Sequence, residues 1–140
     1  MPEPVTHEVV VSLDPAQAFA AFTTRIGEWW PLEREGVFGD GTIAFEEEQL
    51  VERSGDRESV WGEVMQWDPG TALQLTWHPG YDVANATDIR ITFEETVDGT
   101  SVTLTHSGWE RAQDPDAAAA DYASKWPRVL GQFAELVEPT

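Results

Sequence analysis

The order of two hydrophobic patterns along the chain constrains its fold more than any other feature. Between residues 42 and 107, apolar and polar side chains alternate in short segments, which is typical of half-buried β-strands. After residue 114, the apolar side chains recur at helical spacing. One long helix must therefore cover a whole antiparallel sheet, and a strongly bent sheet wrapped around that helix is the natural packing.

These patterns predict the order strand, two short helices, six strands, long C-terminal helix. The predicted strands are residues 5–13, 42–48, 49–53, 57–67, 72–77, 87–96 and 101–109. Asp14 is a fitting N-cap and Pro15 a fitting first residue for the first helix, over 14–22. A second short helix is predicted over 24–30, and the Gly-rich, charged segment 31–41 is predicted to be a loop.

The C-terminal segment is helical in character, but it contains a proline. Asp114 or Asp116 can cap a first helix that runs through the following alanines. Pro127 would break one continuous helix, whereas Ser124 as the N-cap of a second helix would place this proline in the first turn. The apolar stripe that would pack on the sheet consists of Trp126, Val129, Leu130, Phe133, Leu136 and Val137.

Composition bounds the class of protein. The 140 residues have the length of one domain, spanning 1–140, and include no cysteine for disulfides or thiolate metal sites. Twenty-six acidic and eight basic residues give a net charge of −18, which repels phosphate backbones and anionic lipid. The sequence has neither a signal peptide nor an apolar run of about 20 residues. We expect a soluble, cytoplasmic protein that binds neither nucleic acid nor membranes.

Four motifs, in this order, carry a resemblance to a known superfamily. They are "EWWP", "GEVMQWDPGTALQLTW", "DGTSVTLTHSGW" and "WPRVLGQFAELVE". Together they resemble START-like proteins, also called SRPBCC or helix-grip proteins, and most closely the family named after the activator of the heat-shock-protein-90 ATPase. The resemblance implies an α+β helix-grip fold, in which a curved antiparallel sheet of about seven strands wraps around the C-terminal helix and encloses a cavity.

The resemblance also implies which residues would line that cavity. Such cavities hold apolar molecules in this superfamily, and some members are enzymes. The implied ligand-binding residues are Trp30, Val64, Leu75, Trp77, Ile91, Phe93, Leu104, His106, Trp126, Leu130 and Phe133. The eponymous activators carry a further domain that engages the chaperone, and this chain has no room for one. A chaperone partner is therefore only an alternative expectation.

The strand over 57–67 leaves its inward face open between two alternatives. Its two faces are Val60, Gly62 and Val64 on one side, and Trp61, Glu63, Met65 and Trp67 on the other. The second alternative buries the Glu63 carboxylate, whose raised pKa would suit it to acid or base chemistry. An unpaired carboxylate in the core would also be destabilising by several kcal/mol. We therefore favour Gly62 and Val64 on the inward face.

The three histidines, His7, His78 and His106, match no zinc signature, and no cofactor-binding fingerprint occurs. Strand alternation places His106 on the core face with Val102 and Leu104. Such a histidine is more often a structural one, bonded to a backbone carbonyl or a Trp N–H, than a catalytic one. In an apolar site burial lowers its pKa, so we expect His106 to be neutral at pH 7.

Three functions remain open. The favoured one is binding of a small apolar or aromatic molecule in a cavity of about 300 Å³ or more, bounded by Trp77, Phe93, Leu104 and Phe133, with His106 orienting the ligand. The second is an enzyme of the cyclase, dehydratase or hydrolase type that acts through His106, with or without Glu63. The third is a co-chaperone-like interaction module. No metal or cofactor is expected.

Overall fold

A computed structural model describes residues 2–137 as one seven-stranded antiparallel sheet, with four α-helices and two one-turn 3-10 helices. The strands are β1 (Val5–Val11), β2 (Thr42–Glu46), β3 (Gln49–Ser54), β4 (Arg57–Asp68), β5 (Ala72–Trp77), β6 (Thr87–Thr96) and β7 (Gly99–Ser107). The helices are α1 (Pro15–Thr23), α2 (Ile26–Trp29), α3 (Leu32–Glu35) and α4 (Pro115–Val137). The strand order β1-β7-β6-β5-β4-β3-β2 joins the first strand to the last and runs back through the others.

The predicted class is confirmed: this is a curved sheet with a long C-terminal helix, an α+β helix-grip fold. Helix α4 packs against β1 and the short α2. The core lies between the sheet and the helices, because alternate strand residues and the α4 stripe face each other there. The apolar stripe predicted for the helix supplies Trp126, Val129, Leu130 and Phe133 to the buried core.

Helix α1 begins as predicted. The Asp14 carboxylate accepts a hydrogen bond from the backbone N–H of Gln17 at 2.7 Å, and the Gln17 side chain accepts one from the Asp14 N–H at 3.2 Å. These reciprocal bonds satisfy two donors that the helix itself cannot, and Pro15 occupies the first helical position.

Two helical predictions need correction. The segment 31–41 is not wholly loop, because Leu32, which is buried, anchors the one-turn helix α3. Helix α4 is continuous through Pro127 rather than broken there. Pro127 and Ala123 are both exposed, so water can reach the Ala123 carbonyl that a proline at this position cannot bond. Asp114, one of the two predicted caps, accepts from the N–H of Ala117 at 3.3 Å.

Strand β4 departs from simple alternation at two places. Its pairing with β3 leaves Trp61 as an extra residue between Val60 and Gly62. Its pairing with β5 leaves Met65 as a second extra residue. Each irregularity is a β-bulge, which changes the side that the following side chains face.

Because of the bulges, neither of the two predicted faces of β4 points inward along the whole strand. Glu63 is exposed and Val64 is half-buried against the core, as in the favoured alternative. Trp61, which that alternative places outside, is fully buried. Trp67 also reaches the helix side of the sheet, with its ring centre 5.2 Å from that of Phe19.

The space between sheet and helix is filled by aromatic side chains, which corrects the expectation of an enclosed cavity there. The expected boundary residues were Trp77, Phe93, Leu104 and Phe133. The Phe22 ring of α1 lies 6.0 Å from Phe93 and 5.2 Å from Phe133, and Trp29 of α2 lies 5.3 Å from Phe133. The void left in this region measures about 20 Å³, far below the roughly 300 Å³ that a drug-sized ligand needs.

Candidate functional site

An open groove of about 650 Å³ lies beside the filled core, at the N-terminal half of α4. Four parts of the chain surround it: residues 34–37 around the end of α3, the β5–β6 loop, the β7–α4 loop, and α4 from 117 to 129. Strand ends and loops meet here, so the groove can hold a ligand without displacing the packed core. Its volume falls within the range of about 300–1,000 Å³ that is typical of ligand pockets.

Aromatic side chains form the inner wall of the groove. The ring centre of Trp77 lies 5.8 Å from that of Trp30 and 5.6 Å from that of Trp126. Tyr122 stacks on Trp126 at 5.6 Å, with an interplanar angle of 21°, and Trp109 lies 6.0 Å from Tyr122. These rings come from four different segments and pack on one another, so that Trp77, Trp109 and Trp126 are buried and Trp30 and Tyr122 are half-buried. Their edges give the groove an apolar, aromatic wall.

The Tyr122 hydroxyl is already engaged within the wall. It accepts a hydrogen bond from Trp77 Nε1 at 3.2 Å. Burial raises the pKa of Tyr122, so the hydroxyl is neutral at pH 7. The bond holds β5 and α4 together at the bottom of the groove.

Three charged side chains on the groove rim, Glu35, Asp121 and Lys125, are joined by ion pairs. The Glu35 carboxylate, whose side chain is 10% exposed, lies 3.0 Å from an Arg128 nitrogen and 3.5 Å from Lys125 Nζ. Lys125 also lies 2.9 Å from Asp121. Burial alone would lower the pKa of Lys125, but the hydrogen bond to Asp121 and the charge of Glu35 outweigh it and raise this pKa.

A buried carboxyl group holds the loop at one side of the groove. Glu52 of β3 is fully buried and accepts from the backbone N–H of Val37 at 2.7 Å and of Phe38 at 3.0 Å. It also accepts from Trp61 Nε1 at 3.1 Å. The loop after α3 is therefore fastened to the sheet by side-chain bonds, and Gly36 and Val37 of that loop line the groove.

His106 lies directly behind the aromatic wall, on the helix side of the sheet, and is fully buried. Its Nδ1 accepts from Trp126 Nε1 at 3.1 Å, so the ring proton is on Nε2. Nε2 lies 2.6 Å from the Thr87 hydroxyl, which in turn donates to the Trp77 carbonyl at 3.3 Å. This is the structural type of histidine that the sequence favoured, and both ring nitrogens are occupied.

The electrostatic expectation for His106 is also confirmed. Burial lowers the pKa of His106 to about 3, because the charged imidazolium would lose its hydration there. The neutral ring is the form that can accept from Trp126 while donating to Thr87. His106 therefore positions two residues of the groove wall, Trp126 and Thr87, from behind.

The structure divides the predicted ligand-binding residues into two groups. Trp30, Trp77 and Trp126 line the groove. The buried residues of the packed core are Leu75, Ile91, Phe93, Leu104, His106, Leu130 and Phe133, and Val64 is half-buried against them. Glu63, the weaker catalytic candidate, is exposed on β4 and does not line the groove.

Sequence reasoning missed four aromatic residues of the groove: His78, Tyr81, Trp109 and Tyr122. The first three lie in segments that the sequence predicts as a loop or a strand end, and Tyr122 lies outside the helical stripe that faces the sheet. The available signal was composition, because a histidine and a tryptophan next to short loops are candidates for a binding site. Strand alternation carried no such signal.

The part of the chain that the structure describes has neither a cluster of metal-ligating side chains nor a membrane-spanning helix. Among residues 2–137, no group of three histidine or acidic side chains is placed to hold a metal ion. None of the helices within that range is long and apolar enough to cross a membrane.

Solved structures with this fold include proteins from several sources. The Aha1 dimer from Colwellia psychrerythraea is 18% identical, with a TM-score of 0.73, over 99% of this chain and 98% of that one. DynU16, described as a putative protein in the dynemicin biosynthetic locus, is also 18% identical, with a TM-score of 0.73, over 99% of this chain and 48% of that one. These similarities show the fold.

A third structure is more similar in sequence. The anthrahydroquino-γ-pyrone synthase Txn09, complexed with SUM, is 29% identical, with a TM-score of 0.64, over 98% of this chain and 100% of that one. No curated protein matches the chain.

The family assignment rests on a match along nearly the whole sequence. The family model described as "Activator of Hsp90 ATPase homolog 1-like protein" matches residues 12–138. The matched segment contains all of the helices and every strand except β1. It agrees with the motifs quoted from the sequence and with the helix-grip fold. The chain belongs to the family of activator of Hsp90 ATPase homolog 1-like proteins.

Proposed function

We propose that this protein binds a small, planar aromatic molecule in the groove beside α4. The observation that carries the proposal is the aromatic inner wall of an open groove of about 650 Å³. Because the filled core leaves only about 20 Å³, the ligand would bind in the groove rather than in the enclosed cavity expected from the sequence. Trp77 and Trp126 belong to both sites and would contact the ligand.

Two further observations support an aromatic ligand. The charged groups Glu35, Asp121 and Lys125 on the rim are paired among themselves, so they compete little with apolar contact between a ligand and the aromatic wall. The structure that is 29% identical is of a protein whose name refers to a fused aromatic compound.

The experiment titrates the protein with 1,8-dihydroxyanthraquinone and follows quenching of tryptophan fluorescence. Ala118 of α4 lines the groove, so Ala118→Leu places a larger side chain in the ligand's space. Ala120 is exposed in the same alanine run and does not line the groove, so Ala120→Leu is the matched control. We expect Ala118→Leu to weaken binding about tenfold or more, as steric misfits of this size do in apolar pockets, and Ala120→Leu to leave it unchanged.

Equal affinities for the wild type and both variants would place the ligand elsewhere. Saturable quenching by none of the planar probes, including 1-naphthol, would contradict aromatic binding itself.

The second candidate function is an enzyme that converts the bound aromatic molecule. The observation in its favour is that the 29% identical structure is of a synthase. His106 has both nitrogens engaged, so conversion would rely on a group that reaches the groove. Incubation with hydroxylated anthraquinones, followed by mass spectrometry, distinguishes the enzyme from the binding protein. A product that the wild type forms and Ala118→Leu does not form supports the enzyme. Recovery of the unchanged compound supports the binding protein.

A further inference from the structure

His78 carries a buried polar atom that the folded chain leaves without a partner. The residue directly follows β5, is 6% exposed, and lines the groove. Its backbone N–H donates to the Trp61 carbonyl at 2.6 Å, which fixes the main chain there. Among residues 2–137, the buried side-chain nitrogens without a hydrogen-bond partner are His78 Nδ1 and Trp29 Nε1, and only His78 lies on the groove.

Several other polar groups of the groove wall are already bonded. Tyr122 accepts from Trp77, and Glu35 and Lys125 form ion pairs. A buried nitrogen without a partner costs about 1–3 kcal/mol, which a ligand recovers when it supplies the missing bond. Among the buried side chains of the groove in the part of the chain that the structure describes, His78 is therefore the one with an unmet hydrogen bond that a ligand can supply.

The imidazole ring suits this role chemically. A neutral imidazole has one donor and one acceptor nitrogen, so it can pair with a hydroxyl or with a carbonyl. A half-turn about the Cβ–Cγ bond exchanges the positions of Nδ1 and Cδ2, and this torsion is broad and nearly two-fold. Either ring orientation keeps the backbone bond to Trp61 in place.

We propose that His78 binds a hydroxyl or carbonyl oxygen at the edge of the aromatic ligand. The ligand class is a neutral, planar aromatic molecule that carries at least one such oxygen, for example a phenol or a quinone. This inference rests on the proposed function, because it places the polar edge of a molecule whose rings lie against the wall formed by Trp77, Trp126 and Tyr122. We expect the ligand to be neutral because the net charge of −18 disfavours an anion near the protein.

The test compares two probes that differ by one hydroxyl, naphthalene and 1-naphthol, by equilibrium dialysis. The measured quantity is the ratio of the two dissociation constants, naphthalene over 1-naphthol. We expect this ratio to fall about tenfold in His78→Leu, as for loss of one hydrogen bond to a buried group. His78→Asn, which keeps an amide near the Nδ1 position, restores part of the ratio. His7→Leu on β1, away from the groove, leaves the ratio unchanged.

A second measurement does not depend on any variant. The imidazole ¹⁵N signals of His78 in the wild-type protein should shift on binding of 1-naphthol and move much less with naphthalene. An unchanged ratio in His78→Leu, or equal weakening of both probes, overturns the role of His78 while aromatic binding stands. If the wild type binds neither probe at millimolar concentration, the proposed function fails together with this inference.

Discussion

His106 shows at the scale of one residue how strand alternation and burial together determine a side chain's state. The alternation of β7 predicts its place on the core face, and its apolar surroundings predict a neutral ring; the structure confirms both. Its partners Trp126 and Thr87 come from α4 and β6. They depend on how the helix crosses the sheet, which a sequence pattern does not specify.

The buried neutral His106 predicts a loss of stability in weak acid. The folded-state pKa of about 3 lies below the unfolded value of about 6.5. As the pH falls, the unfolded chain therefore binds a proton at His106 before the folded chain does. The contribution of neutral His106 to the free energy of unfolding is complete above pH 6.5 and is lost as the pH falls toward 3. Between pH 7 and pH 5 this group alone should lower the free energy of unfolding by about 2 kcal/mol.

Urea unfolding at several pH values, with His106→Phe as the comparison, isolates this contribution. The variant should be less stable at pH 7 but lose less stability than the wild type on going to pH 5. An NMR titration in which the His106 ring protonates near pH 6.5 would contradict the account.

Glu52 is the residue whose replacement should affect both stability and the groove. Its carboxyl group accepts from Trp61 and from the backbone of Val37 and Phe38. In Glu52→Gln one acceptor oxygen becomes an NH₂ group that faces these donors, so we expect a loss of about 1–3 kcal/mol and weaker binding of 1-naphthol. Chemical unfolding checks the first effect, and the exposed Glu95→Gln is the control, expected within about 0.5 kcal/mol of the wild type.

At the scale of elements, most of the fold could be predicted from the sequence because strands, caps and the helical stripe have local signatures. The bulges of β4 have none, since an extra residue is defined by the pairing of neighbouring strands. For this reason the favoured alternative, with Gly62 and Val64 inward, is wrong in placing Trp61 on the outer face. The continuity of α4 through Pro127 depends likewise on exposure of that side of the helix.

The same bulged region gives a prediction for two glycines. A Cβ at Gly62 would lie 1.7 Å from the Thr76 carbonyl oxygen, whereas a Cβ at Gly131 in α4 meets nothing within 4 Å. Gly62→Ala must push β4 and β5 apart, with an expected loss of about 3 kcal/mol. Gly131→Ala should stabilise the helix by about 0.5–1 kcal/mol. Thermal unfolding of both variants checks the opposite signs, and a stable Gly62→Ala would contradict the close approach.

At the scale of the whole molecule, the site was predicted only in part. The sequence and its resemblance pointed to the space between sheet and helix, and Trp30, Trp77 and Trp126 do line the groove. The volume of a cavity, however, is the small difference between the space enclosed and the side chains that fill it. Phe22 and Trp29, from helices outside the expected wall, occupy that space.

The net charge of −18 predicts selectivity among ligands of equal size. At low ionic strength 1-naphthoate should bind severalfold more weakly than 1-naphthol, because the protein's field repels the anion. Added salt screens this repulsion, so the difference should narrow between 10 mM and 500 mM NaCl. Equilibrium dialysis at the two salt concentrations checks this prediction. A difference in affinity between 1-naphthol and 1-naphthoate that does not change with salt would show that the net charge does not determine this selectivity.

The most direct test of the groove as the binding site follows the indole N–H signals of all seven tryptophans by NMR during titration with 1-naphthol. Four tryptophans, Trp30, Trp77, Trp109 and Trp126, line the groove. Trp61 and Trp67 do not, and they serve as internal controls. We predict saturable shifts confined mainly to the four groove signals. Shifts largest at Trp61 or Trp67, or no saturable shift at any indole, would contradict the account.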